Sequence, residues 1–293
     1  MGTTHVGTTN VGKHTRRTIT ANYNPTFPCL GNLLQAYLMP SLRTLTRDEI
    51  YVVAGLGVLT ALWLFMPAIA QPEGYHQFAD ARALFGIPNA ADVLSNLAFV
   101  AVGLRGLYRL QQGIRPLSPV VRLSLNVFFL GFFLTGFGSA YYHWNPNNQT
   151  LVGDRLLMTI VFAGLFGALL SERVNARSGL AVLLLALVVG PVSVFYWKAT
   201  ADLSPYVVGQ FGGMAAIVLL LTLTPKGRDP FPWWTLIAWY GVAKILEAGD
   251  VFVWNATREL LAGHTLKHLT AAMGGLAIAN ALRRPAAAIQ VTA

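Results

Sequence analysis

The chain has 293 residues, of which 54% are hydrophobic and only 11% charged, against roughly 25% charged in soluble domains; that balance points to a membrane protein. The net charge is +9, but Lys and Arg are spread over many short segments, which excludes the clustered cations that nucleic-acid binding needs. Cys29 is the single cysteine, which excludes an intrachain disulfide and a thiolate metal cluster.

Residues 1–49 carry Lys13, Arg16, Arg17, Arg43 and Arg47 among Thr, Gly and Asn, without the apolar core of a cleavable signal. They are expected to form a flexible cytoplasmic tail. Beyond them the reading is set by length, since a helix needs about 20 apolar residues to cross the hydrocarbon core. Eight such windows follow, at 50–71, 91–110, 121–143, 154–172, 178–197, 205–224, 232–250 and 264–282. A short C-terminal tail, 284–293, closes the chain. Connections are short and punctuated by Pro, Gly or charge, and no strand-like alternation repeats, which argues against a β-barrel. The expected fold class is an all-α integral membrane protein.

Orientation follows from where the cations sit. Every second loop is basic: the N-terminal tail, then Arg105, Arg109, Arg115 and Arg122, then Arg173 and Arg177, then Lys226 and Arg228, then Arg283 and Arg284. The opposite loops hold Glu73, Asp80, Asp154, Asp202, Asp250 and Glu259. Eight spans with both termini cytoplasmic satisfy this alternation, and seven would break it.

That orientation gathers polar residues near the non-cytoplasmic side. In "GSAYYHWNPNNQTLVGD" (138–154) His143 ends the third span and Asp154 opens the fourth; in "GHTLKHL" His264 and His268 open the eighth. Two histidines four apart share a helix face and can grip one metal ion, although such a pair at a membrane end also serves as interfacial polarity. A third imidazole from His143, otherwise one member of an aromatic belt with Tyr142 and Trp144, completes the ligand set of a catalytic zinc. Intramembrane ionisable residues are costly and point to function. Ser139 lies one turn deeper than His143, where a small residue also suits close helix packing. Asp154 suits a helix start and equally a proton acceptor beside a zinc site, where bound water has a pKa near about 7 and Ser139 helps stabilise an oxyanion.

"GSAYYH", the Asp eleven residues after that His in "GDRLLM", and "GHTLKH" resemble the alkaline ceramidases and the wider superfamily of membrane hydrolases that includes the adiponectin and progestin receptors. "DVLSNLAF" (92–99) resembles the family's first core helix. The resemblance covers roughly 75–283 and is closest to the bacterial, ceramidase-like members. It implies a seven-helix hydrolase domain over 72–283, with 50–71 as an added N-terminal transmembrane helix. It implies His143, His264 and His268 as Zn2+ ligands, with Ser139 and Asp154 positioning water and substrate. The reaction it implies is cleavage of the amide of ceramide, or of a related lipid amide, to an amine and a fatty acid. Eukaryotic alkaline ceramidases also hold Ca2+ in the segment before the first core helix. Here that segment offers Glu73, Asp80, Asn89 and Asp92, for calcium or for structure, without the family's Trp- and Glu-rich pattern.

Lys244 and Glu247, three apart, are expected to neutralise each other, while Glu247 is also placed to contact the site. Phe128, Phe132 and Phe133 are expected in the core, with an acyl groove as the other reading. A receptor that binds a lipid or hormone-like ligand with little turnover is the second function class, disfavoured by the lack of a large extramembrane domain. A transporter needs paired broken helices, and "VVGPVSV" (188–194) is a single predicted break. The substrate is expected to come from the bilayer of a bacterial inner membrane; no protein partner is evident.

Overall fold

The computed structural model describes residues 30–38, 44–224 and 230–283. Lys13, Arg16, Arg17, Cys29, Arg43, Lys226, Arg228, Arg284 and the segment 284–293 lie outside the described residues, so the expectations placed on them have no structural counterpart here. Among the described residues the structure is all helical, apart from one isolated bridge between Leu84 and Ile87.

The helices run α1 Leu30–Leu38, α2 Arg47–Phe65, α3 Ala90–Ser95, α4 Leu97–Gln112, α5 Pro119–Trp144, α6 Asn148–Arg173 and α7 Ala176–Thr200. They continue as α8 Ser204–Val207, a π turn over Val208–Gly212, α9 Gly213–Leu223, α10 Trp233–Ala248, α11 Asp250–Ala256 and α12 Gly263–Ala281. Among the described residues six stretches are long and apolar enough to cross a membrane: Arg47–Phe65, Ala90–Gln112, Pro119–Trp144, Asn148–Arg173, Ala176–Thr200 and Ser204–Leu223. The last two predicted spans correspond to α10, 16 residues capped by Gly249, and to α12, 19 residues with Lys and His in its first turns. These two pack on each other. Large apolar side chains such as Val188, Ile245 and Phe252 face outwards, as they do where lipid is the solvent.

Local chemistry sets the helix ends. Ser118 accepts from the Val121 amide ahead of Pro119, and Thr46 and Glu49 form a reciprocal capping box at the start of α2. Asn147 accepts from the Gln149 and Thr150 amides, at 2.9 and 3.0 Å, so α6 begins at Asn148. The expectation that Asp154 opens this span is therefore corrected. Asp154 stands six residues inside the helix, about 9 Å along its axis, where capping no longer explains it. Residues 1–49 also differ from a plain tail, since they include α1, whose buried Leu33 packs with Leu180 and Leu183 of α7.

The predicted break in "VVGPVSV" is absent: α7 runs unbroken through Pro191, with Ser193 Oγ donating to the Gly190 carbonyl at 2.7 Å. Small residues bring the central helices together. A Cβ at Gly164 would meet Phe128 N at 2.3 Å, and one at Gly103 would meet Phe133 N at 2.5 Å. Phe128 and Phe132 are buried in the main core, as the core reading of those rings expected.

Candidate metal centre

His143 arrives on the last turn of α5, and His264 and His268 on the first two turns of α12. Gly263 allows this docking, because a Cβ there would lie 2.3 Å from the Leu246 carbonyl oxygen. Asp250 then fixes the α12 N-terminus: its Oδ1 accepts from the His264 amide at 2.7 Å and its Oδ2 from the Ala79 amide at 2.9 Å. The three imidazoles are 1%, 5% and 1% exposed, and one ring nitrogen from each falls within 4.8 Å of the others. Tetrahedral zinc with bonds of about 2.0–2.1 Å sets such atoms about 3.3 Å apart, so modest side-chain closure completes the geometry.

The hydrogen bonds around the rings decide which lone pairs are free. Ser95 Oγ donates its one hydrogen to the Asp92 carbonyl at 2.9 Å and lies 2.8 Å from His268 Nδ1. With the Ser95 hydrogen placed on the Asp92 carbonyl, Nδ1 carries the ring proton and His268 Nε2 keeps a lone pair. That Nε2 is buried without a partner, as is His143 Nδ1. Buried polar atoms left unpaired are destabilising, and two of them converging with a third imidazole fit a cation of the kind histidine prefers. Outer partners that orient a ligand typically change metal affinity about 10–100-fold. Ser95→Ala is accordingly expected to weaken zinc binding by about tenfold, as measured by competition with a chromogenic chelator.

The third ring carries a feature the sequence reading missed. Lys267 Nζ is 2.9 Å from His264 Nε2 and 2.9 Å from Glu247 Oε1, and Lys244 pairs with the other oxygen of Glu247. An ammonium only donates, so His264 Nε2 is the acceptor. A metal bound through that nitrogen would need the same lone pair, and Lys267 would then compete with it directly. The fit to a metal thus holds once the ammonium turns wholly onto Glu247, which already receives it. Glu247 consequently combines both expectations, neutralising Lys244 and reaching the site through Lys267. The signal was present in "GHTLKH", where Lys267 follows His264 by three and shares its flank.

Ser139 and Asp154, 4% and 7% exposed, interact across the α5–α6 contact, and Asp154 Oδ1 is buried with no hydrogen-bond partner. Phe78, from the loop after α2, closes the site. Its ring centre is 4.6 Å from that of His143 and 4.7 Å from that of His264. That loop is anchored by His76, with ring nitrogens 2.9 Å from Tyr142 Oη and 3.0 Å from Asn148 Oδ1.

The four residues considered for calcium do not gather. Asp80 is bound by the Arg82 fork at 2.8 and 2.7 Å. That hydrogen-bonded pairing holds its carboxyl below the usual carboxylate range, so the anchor persists at neutral pH and is lost only as pH falls through that lowered value. Asn89 donates to the His143 carbonyl at 2.8 Å, and Asp92 accepts from Thr265 Oγ1 at 2.6 Å. Glu73 is exposed. Asn89 and Asp92 therefore support the histidine ligands' helices, and among the described residues the three histidines are the one group with metal-binding geometry.

Among the described residues the fold is all helical, with six helices long and apolar enough to cross a membrane and a buried three-histidine cluster that could hold a metal ion. No family model, curated protein or solved structure matches the chain.

Proposed function

We propose that this chain is a zinc-dependent hydrolase that cleaves the amide bond of ceramide or a related lipid amide inside the membrane. The observation that carries the reading is the group of three buried imidazoles, two with orphaned ring nitrogens, with Ser139 one helical turn from His143 and Asp154 bonded to Ser139 within electrostatic reach of Lys267. His143, His264 and His268 would hold the zinc, which when bound polarises a carbonyl and lowers the pKa of water. The remaining work falls to side chains. Asp154 Oδ1 takes a proton from the attacking water and returns it to the departing amine nitrogen. Ser139 Oγ donates its one hydrogen to the carboxylate and so orients it, while Phe78 keeps bulk water out. Water adds across the C–N bond, giving a fatty acid and an amine.

The topology belongs to the same proposal: eight spans, both termini cytoplasmic, and the site near the opposite side of a bacterial inner membrane. Its support is that Arg105 bonds Asn280 and Arg115 bonds the Ala281 carbonyl. Both partners lie at the end of α12 remote from His264, about 25 Å along the axis.

The test is fatty-acid release from a panel of N-acyl amides by purified protein in phosphatidylcholine vesicles. Zinc-dependent release from N-acyl sphingoid bases is expected. Zinc-loaded protein that releases none from any amide, while retaining the lipid, overturns the hydrolase in favour of the receptor reading. The competition at His264 adds a second expectation. Lys267→Met removes a charged hydrogen-bond donor, an interaction of about 1.5–3 kcal/mol, and should tighten zinc binding by about tenfold or more in a chelator competition.

A further inference from the structure

Between α2 and the rest of the bundle lies a cavity of about 850 Å3, within the ~300–1,000 Å3 usual for small-molecule sites. Helix α2 is pinned near both ends. Glu49 Oε1 accepts from Asn175 Nδ2 at 3.0 Å at one end. Trp63 meets Tyr196 edge to face at the other, with ring centres 6.3 Å apart. Between these pins α2 touches the π turn where Leu59 meets Gly212, but elsewhere the walls stand apart: Gly55 and Gly209 both line the space, and a Cβ added at either meets nothing within 4 Å. Most of the lining is aliphatic or aromatic, including Leu59, Phe162 and Val189, and such walls regain dispersion contacts when a matching apolar molecule fills them.

Length and position narrow the occupant. On α2 the lining runs from Tyr51 to Trp63, twelve residues or about 18 Å. That is close to the ~15 Å half-thickness of a ~30 Å hydrocarbon core, the depth of one acyl chain of one leaflet. The cavity approaches the candidate site, although none of the site's own residues lines it. Thr159 lines it and follows Asp154 by five residues on α6, about 7.5 Å along the axis. Tyr206 lines it too, within electrostatic reach of Asp154, and its ring centre is 5.2 Å from the guanidinium of Arg155.

We infer that this cavity takes the acyl chain of the lipid amide, laid along α2 with the amide group at Asp154. The inference rests on the hydrolase reading of the site and adds where the chain lies. It also gives α2 a task, as the outer wall of the substrate site.

The test uses phosphatidylcholine vesicles containing the full-length protein and a trace of an N-acyl sphingoid base with a diazirine on its acyl chain. A parallel set carries phosphatidylcholine with the same labelled chain. After irradiation, peptide mass spectrometry should place the amide probe on α2, α7 and α9 walls, several-fold above the phosphatidylcholine probe. Gly55→Phe with Gly209→Phe sets two rings on the cavity wall at positions where a Cβ meets no neighbour; it should remove most of that labelling while zinc content stays at the wild-type level. Equal labelling by the two probes overturns the inference in favour of a resident bilayer lipid, and labelling indifferent to the double substitution overturns the cavity as the site. The two readings fail separately. In His264→Ala the cavity labelling should persist without hydrolysis, whereas hydrolysis unaffected by the plug, with no cavity labelling, would remove the cavity and leave the hydrolase standing.

Discussion

Replacing His268 with alanine is expected to take bound zinc from about one per chain to near none and to abolish amide hydrolysis. His268 is the ring whose geometry is most fully determined. Its Nδ1 is committed to Ser95, its Nε2 is buried and unpartnered, and the ring packs 4.8 Å, centre to centre, from His143. Removing it leaves two imidazoles, one of them contested by Lys267. If changes at outer partners alone alter affinity about 10–100-fold, loss of a ligand should exceed that range. Elemental analysis of protein purified without chelators reads the outcome, with helical content by circular dichroism as the control for folding. The close contacts at Gly274 and Gly275 further along α12 are untouched, so the helix should remain seated. Full zinc retention in this variant would remove His268 from the ligand set.

Asp154→Asn is expected to lower hydrolysis by about 100- to 10,000-fold, the usual contribution of a positioned general base, with zinc unchanged. Asn matches Asp in shape and keeps a carbonyl oxygen for the Ser139 contact, yet cannot accept the proton from water. A purely structural Asp154, holding α5 to α6 through Ser139, would tolerate the amide with nearly full activity. The split between preserved zinc and lost turnover therefore separates the two roles. Rates should be measured on the best substrate from the amide panel at saturating concentration, so that the loss is read in kcat.

Much of the site was legible because local spacing carries it. His264 and His268 on one helical face, and Ser139 one turn from His143, need only the period of a helix. The start of α6 was also readable, since Asn147 followed three residues later by Thr150 has the form of a reciprocal cap. Reading the apolar run alone placed Asp154 at a helix end and made it look like a cap. All eight windows were read from apolar length; among the described residues six are long and apolar enough to cross a membrane, while α10, stopped at Gly249, and α12, with its polar first turns, fall short. What sequence could not supply depends on distant partners. Phe78 reaches the histidines because its loop folds back onto Tyr142 and Asn148. The α2 cavity depends on Glu49 meeting Asn175, 126 residues away. Neither pairing leaves a local periodic trace.

The most direct test of the central claim is zinc K-edge X-ray absorption on wild-type protein purified without chelators. About one zinc per chain, with three imidazole nitrogens at about 2.0–2.1 Å and one oxygen, is the expected result. Zinc at background level, or a coordination shell without imidazole scattering, would contradict a metal held by His143, His264 and His268 and remove the basis of the proposed hydrolysis.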